Sequence, residues 1–220
     1  MGSADAEDTV AEPVTDWRTY PDLELPPILT AALADFQEHG YHGTTVRAIA
    51  ARAGLTMPSL YYHYGNKEGI LFALLEAAMD DLETHIDRGL MAAGNDTLER
   101  FRNFVAAIAL HNTHRRRLAA LHDEFRFLGP TLRAQYVARR AVVEDTLENL
   151  LQAGISEGRF DGTDPRLTAR VLLGLLRGIL DWYREDGPLT ATEIADRYTC
   201  DALRLVLKSP RSGSSADHGS

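Results

Sequence analysis

A chain of 220 residues, 45% of them hydrophobic, can bury a substantial core and lies between the usual sizes of one domain and two. Its 32 acidic and 23 basic side chains give a net charge of -9, which argues against any partner held by bulk positive charge. Cys200 is the single cysteine, so an intrachain disulfide framework is excluded and a reducing compartment fits. No apolar run reaches the roughly 18 to 20 residues of a membrane span, and the N-terminal stretch lacks the basic region and apolar core of a secretory signal; a cytoplasmic protein with no membrane partner is expected.

The charge is unevenly placed. Residues 1–26 hold seven carboxylates against Arg18 alone, carry few aliphatic side chains and lead into Pro26 and Pro27, which predicts a disordered acidic arm. From Pro27 to Glu68 the chain is neutral, with Arg47, Arg52 and Lys67 against Asp35, Glu38 and Glu68. Leu29, Ala32, Leu33 and Phe36 recur at helical spacing, Pro27 suits the first turn of that helix, and Gly40 its end. Val46, Ile49, Ala50 and Ala53 repeat the pattern in a short second helix, capped by Thr44 and stopped by Gly54. A third short helix runs from Thr56, its cap, to Tyr64, with Pro58 in the first turn, where a missing N–H costs nothing. Asn66 can cap a long fourth helix carrying Ile70, Leu71, Leu74, Leu75 and Leu82.

Beyond Gly94, helices are predicted near Leu98–His111, Arg115–Leu128, Pro130–Glu157, Pro165–Glu185 and Ala191–Lys208, the last opening on the capping-box spacing of Thr190 and Glu193. The Ser- and Gly-rich residues 209–220 are expected to be a disordered tail. Nine helices and no credible strand make an all-α fold. A three-helix helix-turn-helix domain over 27–72 precedes a larger helical bundle over 73–208.

Two short helices joined by a tight turn are common, and their chemistry decides what they do. The segment TTVRAIAARAGLTMPSLYYHYGNKEGILFALLEA, residues 44–77, puts apolar side chains on one face and hydroxyls and aromatics on the other. A helix that enters the major groove needs short groups at its N-terminal turn for base edges and longer donors at its ends for phosphates. Taken singly, Tyr61, Tyr62, His63 and Tyr64 read as core aromatics plus a surface histidine; together with the turn glycines and the Thr-Val-Arg segment they read as a DNA-binding face.

This segment resembles the signature of the tetracycline-repressor (TetR) family, the likeness covering about residues 28 to 80. The resemblance implies Thr45 and Arg47 at the phosphate backbone, Thr56, Met57, Pro58 and Ser59 at base edges, and Tyr61, Tyr62, His63 and Lys67 as phosphate clamps, with Leu60 and Tyr64 packed inward. It also implies a homodimeric repressor of a palindromic operator, released by a small effector. One departure stands out. The third helix has no Arg or Lys, so the bidentate contact to guanine is missing and sequence preference should depend partly on DNA shape.

The last helices are apolar on wide faces, which calls for a partner; in the resembled family the last two helices pair with their twofold copies, and Trp182, Tyr183, Leu189 and Tyr198 are the expected interface, with a core role open for Trp182. Phe101, Phe104, Ile108, Phe125, Tyr136, Leu172, Leu176 and Arg177 are candidates to line an apolar effector cavity, although each also fits ordinary core. The stretch LLRGILDWYREDGPLTATEIADRY resembles family members that sense acyl-CoA thioesters, which would place phosphates on Arg177 or on Arg115, Arg116 and Arg117; the plainer reading of that triplet is a solvated helix start. A hydrophobic drug-like effector controlling an efflux gene is the alternative. His111, His114 and His122 with Asp123 and Glu124 have metal-site spacing, but histidines near helix ends are ordinarily surface residues, so neither metal nor other cofactor is expected. An enzyme is the rival class, and no P-loop, strand-borne glycine motif, HExxH or GxSxG supports it. A helical adaptor without DNA binding would leave the Thr-Val-Arg and Leu-Tyr-Tyr-His residues unexplained.

Overall fold

The structure, a computed structural model, describes residues 16–162 and 164–207; the expected tail and the first fifteen residues of the expected arm lie outside them. The helices are α1 (Pro27–Gly43), α2 (Val46–Ala53), α3 (Met57–Tyr64), α4 (Lys67–Ala92), α5 (Thr97–His114), α6 (Arg116–Ala119), a 3-10 helix (Ala120–Phe127), α7 (Pro130–Ser156), α8 (Pro165–Arg177), α9 (Ile179–Trp182) and α10 (Ala191–Val206). Among the described residues the only β pairing is an isolated bridge between Phe160 and Leu207. Among the described residues no helix is long and apolar enough to cross a membrane.

α4 joins the two halves. Near its start it packs on α1 and α3 through buried Ile70, Leu71 and Leu74, and further along it lies against α5, α7 and the 3-10 helix. α5 is buried all round, from Phe101 to Thr113 apart from Arg102, because α4, α10, α7, α8 and α9 all pack on it. A helix enclosed in this way loses the polar stripe that would mark its orientation in the sequence. The capping box at Thr190 forms as expected, with Glu193 N donating to Thr190 Oγ1 at 3.2 Å and Thr190 N to Glu193 Oε2 at 2.8 Å.

Several expected boundaries shift for local reasons. α1 runs past Gly40, which takes a left-handed φ of 68° and kinks the helix rather than ending it. Thr45, not Thr44, caps α2 by accepting from Ala48 N at 3.2 Å, while the Thr44 hydroxyl is buried and donates to carbonyls of α1. The single helix expected over 115–128 is one turn of α-helix followed by the 3-10 helix. The helix expected over 165–185 breaks at Gly178 and ends at Trp182.

The arm expected to be disordered over 1–26 is ordered and packed over 16–26. Trp17 is buried, its indole lying 3.4 Å from where a Cβ on Gly89 of α4 would sit. Tyr20 stacks between His85 and His114 at 3.8 and 4.9 Å, and its hydroxyl donates to the Ala107 carbonyl at 3.1 Å. Arg115 donates to the Pro21 carbonyl at 2.5 Å. The acidic composition concealed a short aromatic and apolar series, Trp17, Tyr20, Leu23 and Leu25, that all packs on the core.

Candidate nucleic-acid interface and effector cavity

The turn between α2 and α3 depends on Gly54, whose φ of 66° closes α2 in a left-handed cap. Thr56 then caps α3, its hydroxyl accepting from Ser59 N at 3.5 Å, and Leu60 is fully buried and anchors the helix. With Leu60 inward, the opposite side of α3 faces out: Thr56, Pro58, Tyr61 and His63 are exposed, and Tyr62 is 86% exposed. Met57 and Ser59 are half-buried, Met57 packing on the core, and Tyr64 turns inward as expected, where burial raises its pKa.

Cations are scarce on this surface. Arg52 is held by Asp35 at 2.7 Å and Glu38 at 2.6 Å. Lys67, expected to clamp a phosphate, donates instead to the carbonyls of Tyr41 and Thr44 at 2.7 and 2.8 Å and lies over the Tyr41 ring. It closes the C-terminal end of α1, where carbonyls have no helical partner, and burial lowers its pKa. Arg47 is exposed in the first turn of α2 and is the one Arg or Lys of this segment, among the described residues, that makes no ion pair or hydrogen bond.

A cavity of about 540 Å³ opens between α4, α5, the 3-10 helix, α7 and α8. Met79, Leu82, Ile108 and Leu180 contribute apolar wall, and Asn112, His122, Arg140, Glu144, Arg170 and Arg177 contribute polar groups. Of the residues expected to line it, Ile108, Phe125 and Arg177 do. Phe101, Phe104, Leu172 and Leu176 belong to the solid core, Phe101 meeting Phe160 edge-on at 5.2 Å. Tyr136 stands behind the wall with its hydroxyl on His122 Nδ1. Helical spacing cannot say which face of an enclosed helix meets an empty volume, and that accounts for these misplacements.

The polar groups are mostly engaged with one another. Arg177 pairs with Asp123 and Arg170 with Glu144 at 2.8 Å, the Asp123 hydrogen bond raising the Arg177 pKa. Arg140 is exposed, makes no ion pair, and lies over the Phe125 ring. The His122 pKa is pushed down to about 3, by burial first and by the neighbouring His111 and Arg140. Behind this wall, Asp81 of α4 receives His111 at 3.1 Å and Arg115 at 3.3 Å; burial alone would raise its pKa, but these partners hold it below the usual carboxylate range.

The histidines weighed for metal are therefore spent separately: His111 on Asp81, His114 on Tyr20, His122 on Tyr136. Among the described residues, the group of three whose ligand atoms converge is Asp35, Glu38 and His39, and Arg52 already binds both carboxylates. Of the triplet, Arg115 serves Asp81 and the arm, while Arg116 and Arg117 are exposed.

Apolar side chains remain exposed on the later helices. Leu167, Val171 and Leu175 follow each other at four-residue steps along one side of α8, and Trp182 on α9 and Val137 and Val142 on α7 are exposed too, Val137 beside the cavity. The residues expected at a dimer interface differ in exposure, and of them Trp182 is the exposed one. Tyr183 is buried within the chain, Leu189 and Tyr198 are half-buried, and the Trp182 indole donates to the Tyr198 hydroxyl at 3.3 Å.

A three-helix reading head presenting a capped, outward-facing helix, joined through α4 to an all-helical domain with an internal cavity, defines a helix-turn-helix regulator with its sensor in the same chain. The family models agree. Residues 28–74 match bacterial regulatory proteins of the tetR family, and residues 94–206 match the tetracyclin repressor-like C-terminal domain. The chain is 31% identical over 184 residues to the HTH-type transcriptional repressor KstR2 of Mycobacterium tuberculosis, covering 82% of this chain and 92% of that protein. The structure of PfmR from Thermus thermophilus superposes with a TM-score of 0.73 at 31% identity, covering 80% of this chain and 97% of the other. AibR, solved with isovaleryl coenzyme A and operator DNA, superposes with a TM-score of 0.71 at 30% identity, covering 78% and 94%. The chain belongs to the TetR family and is a ligand-responsive transcriptional repressor, not an enzyme.

Proposed function

We propose that two copies of this chain bind a palindromic operator through paired α3 helices, and that an apolar effector entering the cavity releases them. The observation that carries this reading is the contrast on α3 between Leu60, fully buried, and Tyr62, 86% exposed: the helix is fixed by its back and free at its front. One eight-residue helix reads too few base pairs for a unique site, whereas two held about 34 to 36 Å apart read both halves of a palindrome. The uncovered stripe of Leu167, Val171 and Leu175, with Trp182, supports pairing through α8 and α9, with α7 alongside. Thr45, Arg47 and Tyr62 hold phosphates in this scheme, and Thr56, Pro58 and Ser59 meet base edges. The protein works in the cytoplasm, where its DNA is.

For the effector we propose an acyl-CoA thioester, its acyl group in the cavity and its phosphates among Arg140, Arg170 and Arg177. AibR, a neighbour in fold, was captured with such a thioester. A ligand shifts the operator equilibrium only through a difference in affinity between the two arrangements of the dimer. Mobility shift with DNA from upstream of the gene, with and without acyl-CoAs, tests both halves. Equal retardation by wild type and Tyr62→Ala would refute the DNA-reading assignment, and retardation indifferent to every acyl-CoA would refute the effector assignment.

A further inference from the structure

The cavity wall holds two hydrogen-bonding groups that the fold does not use. Asn112 is buried and lines the cavity, and its Nδ2 donates to the Leu176 carbonyl at 2.9 Å, which fixes the amide. Among the described residues nothing donates to its Oδ1. His122 also lines the cavity, and its Nδ1 is on the Tyr136 hydroxyl. Burial keeps that hydroxyl protonated by raising its pKa, and among the described residues it has no other acceptor, so it donates to Nδ1. A neutral imidazole that accepts at Nδ1 carries its proton on Nε2. His122 Nε2–H is then a donor, and Asn112 Oδ1 an acceptor, each without a partner among the described residues and each on a wall whose apolar part includes Met79, Leu82, Ile108 and Leu180.

We infer that the cavity selects an oxygenated apolar molecule, whose hydroxyl or carbonyl is bound by Asn112 Oδ1 or His122 Nε2, over a plain hydrocarbon chain of the same size. This rests on the reading of the cavity as the effector site. A saturated chain would displace water from both groups and leave them unpaired, whereas a carbonyl answers His122 and a hydroxyl answers either. A site built to hydrogen-bond a ligand oxygen rejects the analogue lacking it by tenfold or far more, while a merely apolar wall discriminates weakly. Arg140, exposed at the cavity and free of ion pairs, adds a place for an anionic end.

Titration calorimetry on the full chain tests this with matched carboxylates: decanoate, β-hydroxydecanoate, ω-hydroxydecanoate and the corresponding oxo acids. At least one oxygenated member should bind ten times more tightly than decanoate or better, and His122→Phe should reduce that preference to within about threefold. His122→Gln, which restores a side-chain donor, should recover part of it, so that a variant simply failing to fold is not mistaken for the effect. Decanoate binding as tightly as every oxygenated member overturns the inference; so does a preference that survives His122→Phe, or no binding by any member up to about 1 mM. Operator binding by the ligand-free protein is read separately by mobility shift. Its loss would sink the regulator reading while leaving the ligand preference intact.

Discussion

Replacing Arg47 with Met should weaken operator binding and flatten its salt dependence without disturbing the fold. Of the three Arg or Lys residues between Pro27 and Glu68, Arg52 is consumed by Asp35 and Glu38 and Lys67 by two carbonyls, which leaves Arg47 as the free cation. Each phosphate neutralised contributes about -0.9 to the slope of log K against log salt, so a symmetric pair that loses two contacts should show a slope shallower by about 1.8. With a charge-assisted hydrogen bond worth roughly 1.5 kcal/mol at the low end, two lost contacts amount to on the order of a hundredfold in affinity. Fluorescence anisotropy of labelled operator DNA between about 50 and 200 mM salt reads both quantities. Lys67→Met is the contrasting control: it should lower the melting temperature, because α1 and α4 lose their tie, and leave the slope unchanged. An unchanged slope in Arg47→Met, or the larger slope change in Lys67→Met, would refute the assignment of charges.

Three further outcomes are expected. Tyr20→Ala removes a half-buried ring stacked on His85 and His114 and a hydrogen bond to α5, and should cost roughly 2 kcal/mol in urea unfolding; no loss would mean that the arm is not held to the bundle. Burial holds His122 neutral down to about pH 3 while an unfolded chain takes up the proton near 6.5, so the folded state gives up this contribution as pH falls from about 6.5 toward 3, by up to tenfold in the folding constant per pH unit. Denaturation midpoints measured across that window should drop more steeply in wild type than in His122→Phe. Leu175→Glu puts a charge in the middle of the exposed α8 stripe and should yield a folded monomer in sedimentation, with operator affinity lost; a dimer of wild-type stability would move the interface elsewhere.

The reading head was legible because its signals are local. Gly54, Thr56, Leu60 and Asn66 each fix a turn, a cap or an anchor within a few residues, and the structure uses all four in those roles. Lys67 was misplaced because its partners, the carbonyls of Tyr41 and Thr44, lie more than twenty residues away and are backbone groups that no side-chain pattern announces. The cavity was harder still. Phe104 and Ile108 are one helical turn apart on α5, both apolar, yet only Ile108 meets the open volume, a difference set by which neighbouring helix leaves a gap. His122 and Asn112 carry no more signal than any other polar residue in a helix, and in the arm the acidic composition outweighs the Trp17 and Tyr20 rings that anchor it.

The 3-10 helix has a mechanical consequence. Within eight residues it places His122 and Phe125 on the cavity and Phe127 against Tyr41 and His42 at the end of α1, with rings 5.0 and 4.5 Å apart. His122 and Phe125 sit three apart and so share one edge of such a helix. Rewinding from three residues per turn to 3.6 advances each residue by about 20° less, which over the five steps from His122 to Phe127 amounts to a swing of roughly 100°. Any rewinding that kept the cavity edge in place would therefore carry Phe127 off Tyr41 and His42.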